Sequence, residues 1–173
     1  MNKLVERYAY AYFNLALEND ALTKYRQEAL DFSEKIDAET LNFLNSQAFN
    51  KQEKKDVFSN IIDGDLYRLF KVIVDNKRTA YLKDILNGFV KLADEELGIL
   101  NVRVVSAKAL SAEEITSIKE ALAQKYHKDI VLKQELDEGL IAGMRVYIGE
   151  KVIDTSTKTK VSKLREQLLE GIG

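Results

Sequence analysis

Gly143, Gly149 and Lys151 are the residues of this sequence that come nearest to a phosphate-binding loop. Such a loop has the pattern G-x-x-x-x-G-K-[ST] between a strand and a helix, so that its backbone N–H groups converge on a phosphate. Here the glycines are one position too far apart, Glu150 precedes the lysine, and a β-type run fills the interval. The stretch therefore predicts a strand start and a hairpin turn at Gly149-Glu150, and not a nucleotide-binding loop.

Side chains suited to metal binding or nucleophilic catalysis are scarce. The chain has no cysteine and one histidine, His127, which excludes thiolate metal sites, cysteine nucleophiles and His-rich metal sites. His127 lies in QKYHKD at a predicted helix end, where a cation complements the helix dipole, and no nucleophile is placed to use it. Acidic pairs such as Glu95-Glu96 occur in charged helical segments that indicate surface. The sequence predicts no catalytic residue, no metal site and no cofactor.

A basic cluster near the C-terminus is open to two interpretations. The cluster comprises Lys158, Lys160, Lys163 and Arg165. On a helix, Lys160 and Lys163 lie away from an apolar stripe that comprises Val161, Leu164 and Leu168. The cluster is either a solvated face or a contact for an acidic partner helix.

Composition excludes further classes of protein. The 173 residues are 46% hydrophobic and carry a formal net charge of −2, whereas nucleic-acid binding needs clustered cations and a positive field. The N-terminal MNKLVERYAY lacks the apolar core of a signal peptide, and no apolar run approaches the ~20 residues of a membrane span. These features predict a soluble, intracellular protein.

Hydrophobic periodicity divides the chain at Gly98. Before it, apolar residues recur at i, i+3, i+4 and i+7, which predicts one helix after another. In ALTKYRQEALDFSEKI the predicted apolar stripe comprises Leu22, Tyr25, Ala29, Phe32 and Ile36. After it, ILNVRVVSA alternates like a strand, and Ser111 with Glu114 forms a capping box at the start of a further helix. The predicted fold class is α+β. An all-helical bundle of about six helices (1–98) precedes a small β-α-β-β-α domain (99–173).

The YAYAYF segment of the first helix has two interpretations. Tyr8 and Tyr12 are neighbours at i, i+4, and Ala9 and Ala11 leave room between the ridges of side chains. Small residues beside aromatic rings form a groove in which another helix can lie. The same pattern also suits an ordinary bundle interior, where tyrosine packs with its hydroxyl at the edge.

Four segments, in order along nearly the whole chain, resemble one family. They are RYAYAYFNLA, LFKVIVDNKRTAYLKDILNGF, VVSAKALSAEEITSIKEAL and DEGLIAGMRVYIGEKVIDTSTKTKVSKL. They are similar to the delta subunit of the bacterial rotary ATP synthase, the homologue of the mitochondrial oligomycin-sensitivity-conferring protein. Tyr12 departs from the family pattern, which commonly has leucine there.

The resemblance implies a non-catalytic subunit of the peripheral stalk of a proton-translocating ATP synthase. Such a subunit links the catalytic head to the membrane-anchored b subunits and holds the head against rotor torque. The implied partners are the N-terminal helix of an alpha subunit, bound by the helical domain, and the C-terminal ends of the b subunits, bound by the second domain. The subunit would be monomeric within the complex, peripheral at the cytoplasmic face of the cell membrane, and free of nucleic acid and direct membrane insertion.

The resemblance also implies two sets of contact residues. The alpha-binding groove would lie between the first helix and the helix that begins at Asp65, lined by Tyr8, Ala11, Tyr12, Arg68, Val72 and Asp75. The contact with b would involve Val161, Leu164 and Leu168, which are equally suited to the core of the small domain. The alternative function is a free helical adaptor that binds another amphipathic helix.

Overall fold

A computed structural model of the chain describes residues 2–137, 139–140, 143–149 and 151–154. They confirm the predicted α+β class, with helices first and a sheet with a helix after them. The chain divides into two compact units, Met1–Leu97 and Gly98–Gly173. The predicted last helix and the predicted contact residues Val161, Leu164 and Leu168 lie outside the described residues, as does the basic cluster.

The helical unit consists of six α-helices and a 3₁₀ turn. The helices are α1 (Lys3–Glu18), α2 (Leu22–Lys35), α3 (Ala38–Asn45), α4 (Lys51–Phe58), α5 (Gly64–Asp75) and α6 (Leu82–Glu96), and the 3₁₀ turn, Thr79–Tyr81, precedes α6. Capping side chains fix where some of these helices begin. Asn50 forms a capping box with Glu53 at the start of α4, and Asp37 caps α3 by accepting from the Thr40 amide.

The core of this unit is built from one face of each long helix. On α2 the whole predicted stripe is buried: Leu22, Tyr25, Ala29, Phe32 and Ile36. Three phenylalanines, Phe32, Phe70 and Phe89, are among the largest fully buried side chains. Burial of such side chains contributes about 1.5–3 kcal/mol each to folding. The bundle therefore forms a closely packed support for the residues on its surface.

In the second unit, the residues that the structure describes form a sheet with one packed helix. Strands β1 (Ile99–Ser106), β2 (Asp129–Leu136), β3 (Met144–Ile148) and β4 (Lys151–Asp154) lie in the order β2-β1-β3-β4. The helix α7 (Ala112–Tyr126) connects β1 to β2, which are parallel, whereas β1 pairs with β3 in antiparallel register. The buried residues of α7 pack on Val102, Val104 and Val146 of the sheet.

The glycine-rich stretch forms the predicted hairpin. Strand β3 fills the interval that a phosphate-binding loop would leave open, and Ile148 pairs with Lys151 across the turn. Gly149 has a φ of +59°, in the left-handed region that glycine adopts without strain.

His127 ends α7 in a left-handed conformation, with its amide donating to the Ala123 carbonyl. Its place at a helix end is as predicted.

Candidate partner-binding groove

An open, largely apolar groove lies between α1 and α5. It has a volume of about 420 Å³. Its lining comprises Arg7, Tyr8, Ala11, Tyr12 and Leu15 from α1, and Asp65, Arg68, Leu69 and Val72 from α5. The spacing of both sets is that of one helix face, because residues three and four apart are neighbours on a helix.

The two walls run in opposite directions. Asn19, which follows the end of α1, donates its side-chain amide to the carboxylate of Asp65 at 3.3 Å. Helix α5 therefore begins beside the end of α1, and Val72 lies toward the other end of the groove. At a rise of 1.5 Å per residue, the stretch from Asp65 to Val72 spans on the order of 10 Å. The groove can hold about two turns of a partner helix.

Buried aromatic rings support the groove from below. Tyr12 is only 2% exposed, and its ring centroid lies 4.6 Å from that of Phe89 and 5.2 Å from that of Tyr25. The rim, in contrast, exposes apolar surface to solvent: Val72 is 48% exposed, and Ala11 is also exposed. A cluster of apolar atoms on a well-packed base is the usual form of a protein-binding site.

The structure brings five of the six residues predicted for the alpha contact to this one groove: Tyr8, Ala11, Tyr12, Arg68 and Val72. Asp75 is not part of the lining. Its carboxylate forms an ion pair with Lys55 of α4, and its carbonyl accepts from Lys51 at 2.6 Å. Asp75 thus ties α5 to α4, away from the groove.

Four lining residues were missing from the sequence prediction: Arg7, Leu15, Asp65 and Leu69. Leu15 lies one turn after Ala11, and Leu69 and Asp65 lie three and seven positions before Val72. Extending the predicted faces by single turns identifies all four, since Arg7 lies one turn before Ala11. The guanidinium of Arg7 lies 5.7 Å from the centre of the neighbouring Tyr8 ring.

Asp65 is the acidic residue of the lining, and its carboxylate is held by three donors. The Tyr25 hydroxyl and the Asn19 amide donate to one oxygen, and Arg68 donates to the other at 2.8 Å. These contacts, led by the hydrogen bond from Tyr25, lower the pKa of Asp65 below its ordinary value. The groove therefore keeps a fixed carboxylate at this end over the neutral pH range.

The hydroxyl of Tyr12 is buried and has no hydrogen-bond partner among the residues that the structure describes. A buried polar group without a partner costs roughly 1–3 kcal/mol. We expect Tyr12→Phe to raise the free energy of unfolding by about 1 kcal/mol at neutral pH, measured by urea denaturation. Tyr10→Phe is the control, because Tyr10 is 52% exposed; an equal gain there, or a loss at Tyr12, contradicts the prediction.

Alkaline pH gives a second readout of the same variant. Burial raises the pKa of the Tyr12 hydroxyl well above its ordinary value, and the carboxylates of Glu28 and Asp65 act in the same direction. The folded protein keeps a proton that the unfolded chain releases near pH ~10. Stability is thus unaffected below that pH and falls above it, by at most about 1.4 kcal/mol per pH unit for this group. Tyr12→Phe should make that fall shallower.

The described residues contain no group of three or more His, Cys, Asp or Glu side chains that could hold a metal ion. None of the helices in the described part of the chain is long and apolar enough to cross a membrane.

Comparison with known proteins defines the class. The family model for the ATP synthase delta (OSCP) subunit matches residues 4–168. The chain is 30% identical to the ATP synthase subunit delta of Clostridioides difficile (strain 630), over 99% of each chain. It is 33% identical to that of Bacillus thuringiensis (strain Al Hakam), over 96% of each. A chain in the cryo-EM structure of the Toxoplasma gondii mitochondrial ATP synthase hexamer matches with a TM-score of 0.69 and 25% identity, covering 99% of this chain and 100% of that one.

These matches define a non-catalytic subunit of an ATP synthase, and a component of its peripheral stalk. The chain belongs to the ATP synthase delta (OSCP) subunit family. The predicted family is confirmed over almost the full length, and the alternative of a free adaptor is not favoured. The groove between α1 and α5 is therefore a surface of a stator subunit.

Proposed function

We propose that the groove between α1 and α5 receives the N-terminal helix of an alpha subunit and so fastens this chain to the catalytic head. The observation that carries the proposal is the exposed apolar lining on a buried aromatic base, with Val72 and Ala11 open to solvent. An amphipathic helix buries its apolar stripe in such a groove at i, i+3, i+4 and i+7 positions. The length of the groove, about two turns, suits three or four such side chains.

The second unit, Gly98–Gly173, is proposed to bind the C-terminal ends of the b subunits. The support is the family membership of the whole chain and the apolar stripe of Val161, Leu164 and Leu168 in the sequence. With alpha at one unit and b at the other, the chain links the head to the membrane-anchored stalk. It is then peripheral at the cytoplasmic face of the membrane, and it resists rotor torque without a chemical step.

A stator contact must survive repeated torque, so the affinity has to come from slow dissociation. Interface energy is concentrated in a few well-packed, desolvated side chains, and differences among related complexes lie mainly in the dissociation rate. The rigid base under the groove serves this need, because a preformed site loses little conformational freedom when a helix docks.

The test is calorimetric titration of the full chain with a synthetic peptide that carries the N-terminal segment of the alpha protein from the same organism. A scrambled peptide of the same composition is the control for non-specific apolar binding. We expect one-to-one binding of the native peptide and none of the scrambled one. A well-folded protein that binds neither peptide, or both equally, refutes the proposed role of the groove.

The contact with b has its own titration, with a peptide of the C-terminal end of the b protein. Leu164→Asp should abolish that binding and leave the alpha peptide unaffected, since the proposal assigns the two partners to different units. Loss of both by one substitution would contradict the division of roles.

A further inference from the structure

A chain of hydrogen bonds connects the bundle interior to the rim of the groove. Tyr25 of α2 is buried and does not line the groove, yet its hydroxyl donates to Asp65. Asn19 donates at 2.7 Å to the Tyr25 oxygen, and Asp65 in turn accepts from Arg68. Asp65 thus holds the guanidinium of Arg68, and Tyr25 of the bundle interior holds the carboxylate of Asp65.

Once the carboxylate of Asp65 is paired, the remaining charge of the groove lining is positive. Both oxygens of Asp65 are occupied by its donors. Arg68 is 76% exposed and uses one nitrogen for Asp65, so most of the donors of its planar fork face outward. Arg7, at the rim of α1, is exposed and forms no ion pair with any residue that the structure describes. The complement of this surface is an apolar stripe with carboxylates beside it.

The side chain of Arg68 keeps one orientation only because Tyr25 and Asn19 hold the carboxylate of Asp65. An ion pair between residues three apart on an exposed helix face is weak, because water screens it and both side chains lose rotamer freedom. Asp65 has less freedom than an ordinary surface carboxylate, since Tyr25 and Asn19 fix one of its oxygens. A guanidinium that is held in one orientation loses less conformational entropy when a carboxylate binds it.

We propose that the partner helix carries a carboxylate beside its apolar stripe, that Arg68 receives it, and that Tyr25 is a positioning residue acting through Asp65. This inference rests on the proposed function, because it concerns the partner of the same groove. It assigns a binding role to a tyrosine on a helix that does not border the groove, and it states the chemistry that the partner must present.

The experiment measures the affinity of the alpha N-terminal peptide for wild-type protein, Tyr25→Phe, Arg68→Gln and the double variant. A second peptide carries amides in place of every Asp and Glu. With the native peptide we expect about tenfold weaker binding for Arg68→Gln, the usual size for a hydrogen-bonded charge pair. Tyr25→Phe should be about threefold weaker, and the double variant no weaker than Arg68→Gln alone. With the amide peptide, all four proteins should bind equally.

The control variant is Tyr67→Phe. Tyr67 also lies in the helical unit and donates its hydroxyl, to the Lys55 carbonyl at 3.2 Å, but it does not line the groove. It should bind like the wild type, and thermal denaturation should show all variants folded.

The outcomes separate the two proposals. If wild-type protein binds neither peptide, the proposed function fails and this inference fails with it. If it binds but Tyr25→Phe has no effect, only the positioning role is overturned. The positioning role is also overturned if Tyr25→Phe still weakens binding in the Arg68→Gln background or with the amide peptide, because Tyr25 would then act through general packing.

Discussion

Ala11→Glu is expected to weaken binding of the alpha N-terminal peptide by at least about 100-fold, or roughly 2.7 kcal/mol, while the folded protein keeps its thermal stability. Ala11 is exposed in the groove, so in the free protein the new carboxylate stays in water, one turn from Arg7. Glutamate is also a good helix former. A docked helix would cover the carboxylate, and burying a charge costs far more than the alanine contact contributes.

The matched control is Asn14→Glu. Asn14 is exposed on the same helix but outside the groove lining, so the change in net charge is the same. Titration calorimetry with the same peptide should give wild-type affinity for this control. Equal weakening by both substitutions would mean that net charge, and not occupation of the groove, controls the affinity.

Asp94→Ala is expected to lower the free energy of unfolding of the helical unit by about 3–5 kcal/mol. Asp94 of α6 forms an ion pair with Arg26 of α2, and their side chains are 8% and 11% exposed. The substitution leaves a guanidinium buried without this carboxylate, and desolvation of an unpaired charge is the dominant cost. For a unit of this size we expect the melting temperature to fall by more than about 10 °C.

Two further variants separate burial from pairing. In Arg26→Met/Asp94→Leu both charges are replaced by apolar groups, so it should be clearly more stable than Asp94→Ala. Lys24→Ala removes an exposed ion pair with Glu28, 3.6 Å apart on the same helix α2, and should cost under about 1 kcal/mol. If Lys24→Ala and Asp94→Ala cost the same, the ion pair of Arg26 contributes no more than a surface one. Circular dichroism during thermal unfolding measures all three.

Local patterns were sufficient for the elements of this fold. The stripe on α2 predicted its buried face residue by residue, because a helix facing a core must repeat apolar side chains at its own period. The caps at Asn50 and Ser111 follow the same logic, since they depend on side chains three positions apart. The hairpin turn at Gly149 needs only a residue that tolerates positive φ between two β-type runs.

Local sequence patterns do not predict the groove. Its walls are about 50 or more residues apart in sequence, and their pairing was expected only through the family resemblance. The family resemblance placed Asp75 in the same lining as Arg68 and Val72, yet its carboxylate forms an ion pair with Lys55 of α4.

The amino-acid sequence by itself determined the elements, their buried faces and the family, since periodicity, capping and motif order are properties of neighbouring residues. Only the tertiary structure decided that Tyr12 is buried without a hydrogen-bond partner among the described residues, and that Tyr25 reaches Asp65. Both facts depend on how α1, α2, α5 and α6 pack together. Side-chain contacts between such helices are set by packing geometry and charge in space, which no spacing along one helix contains.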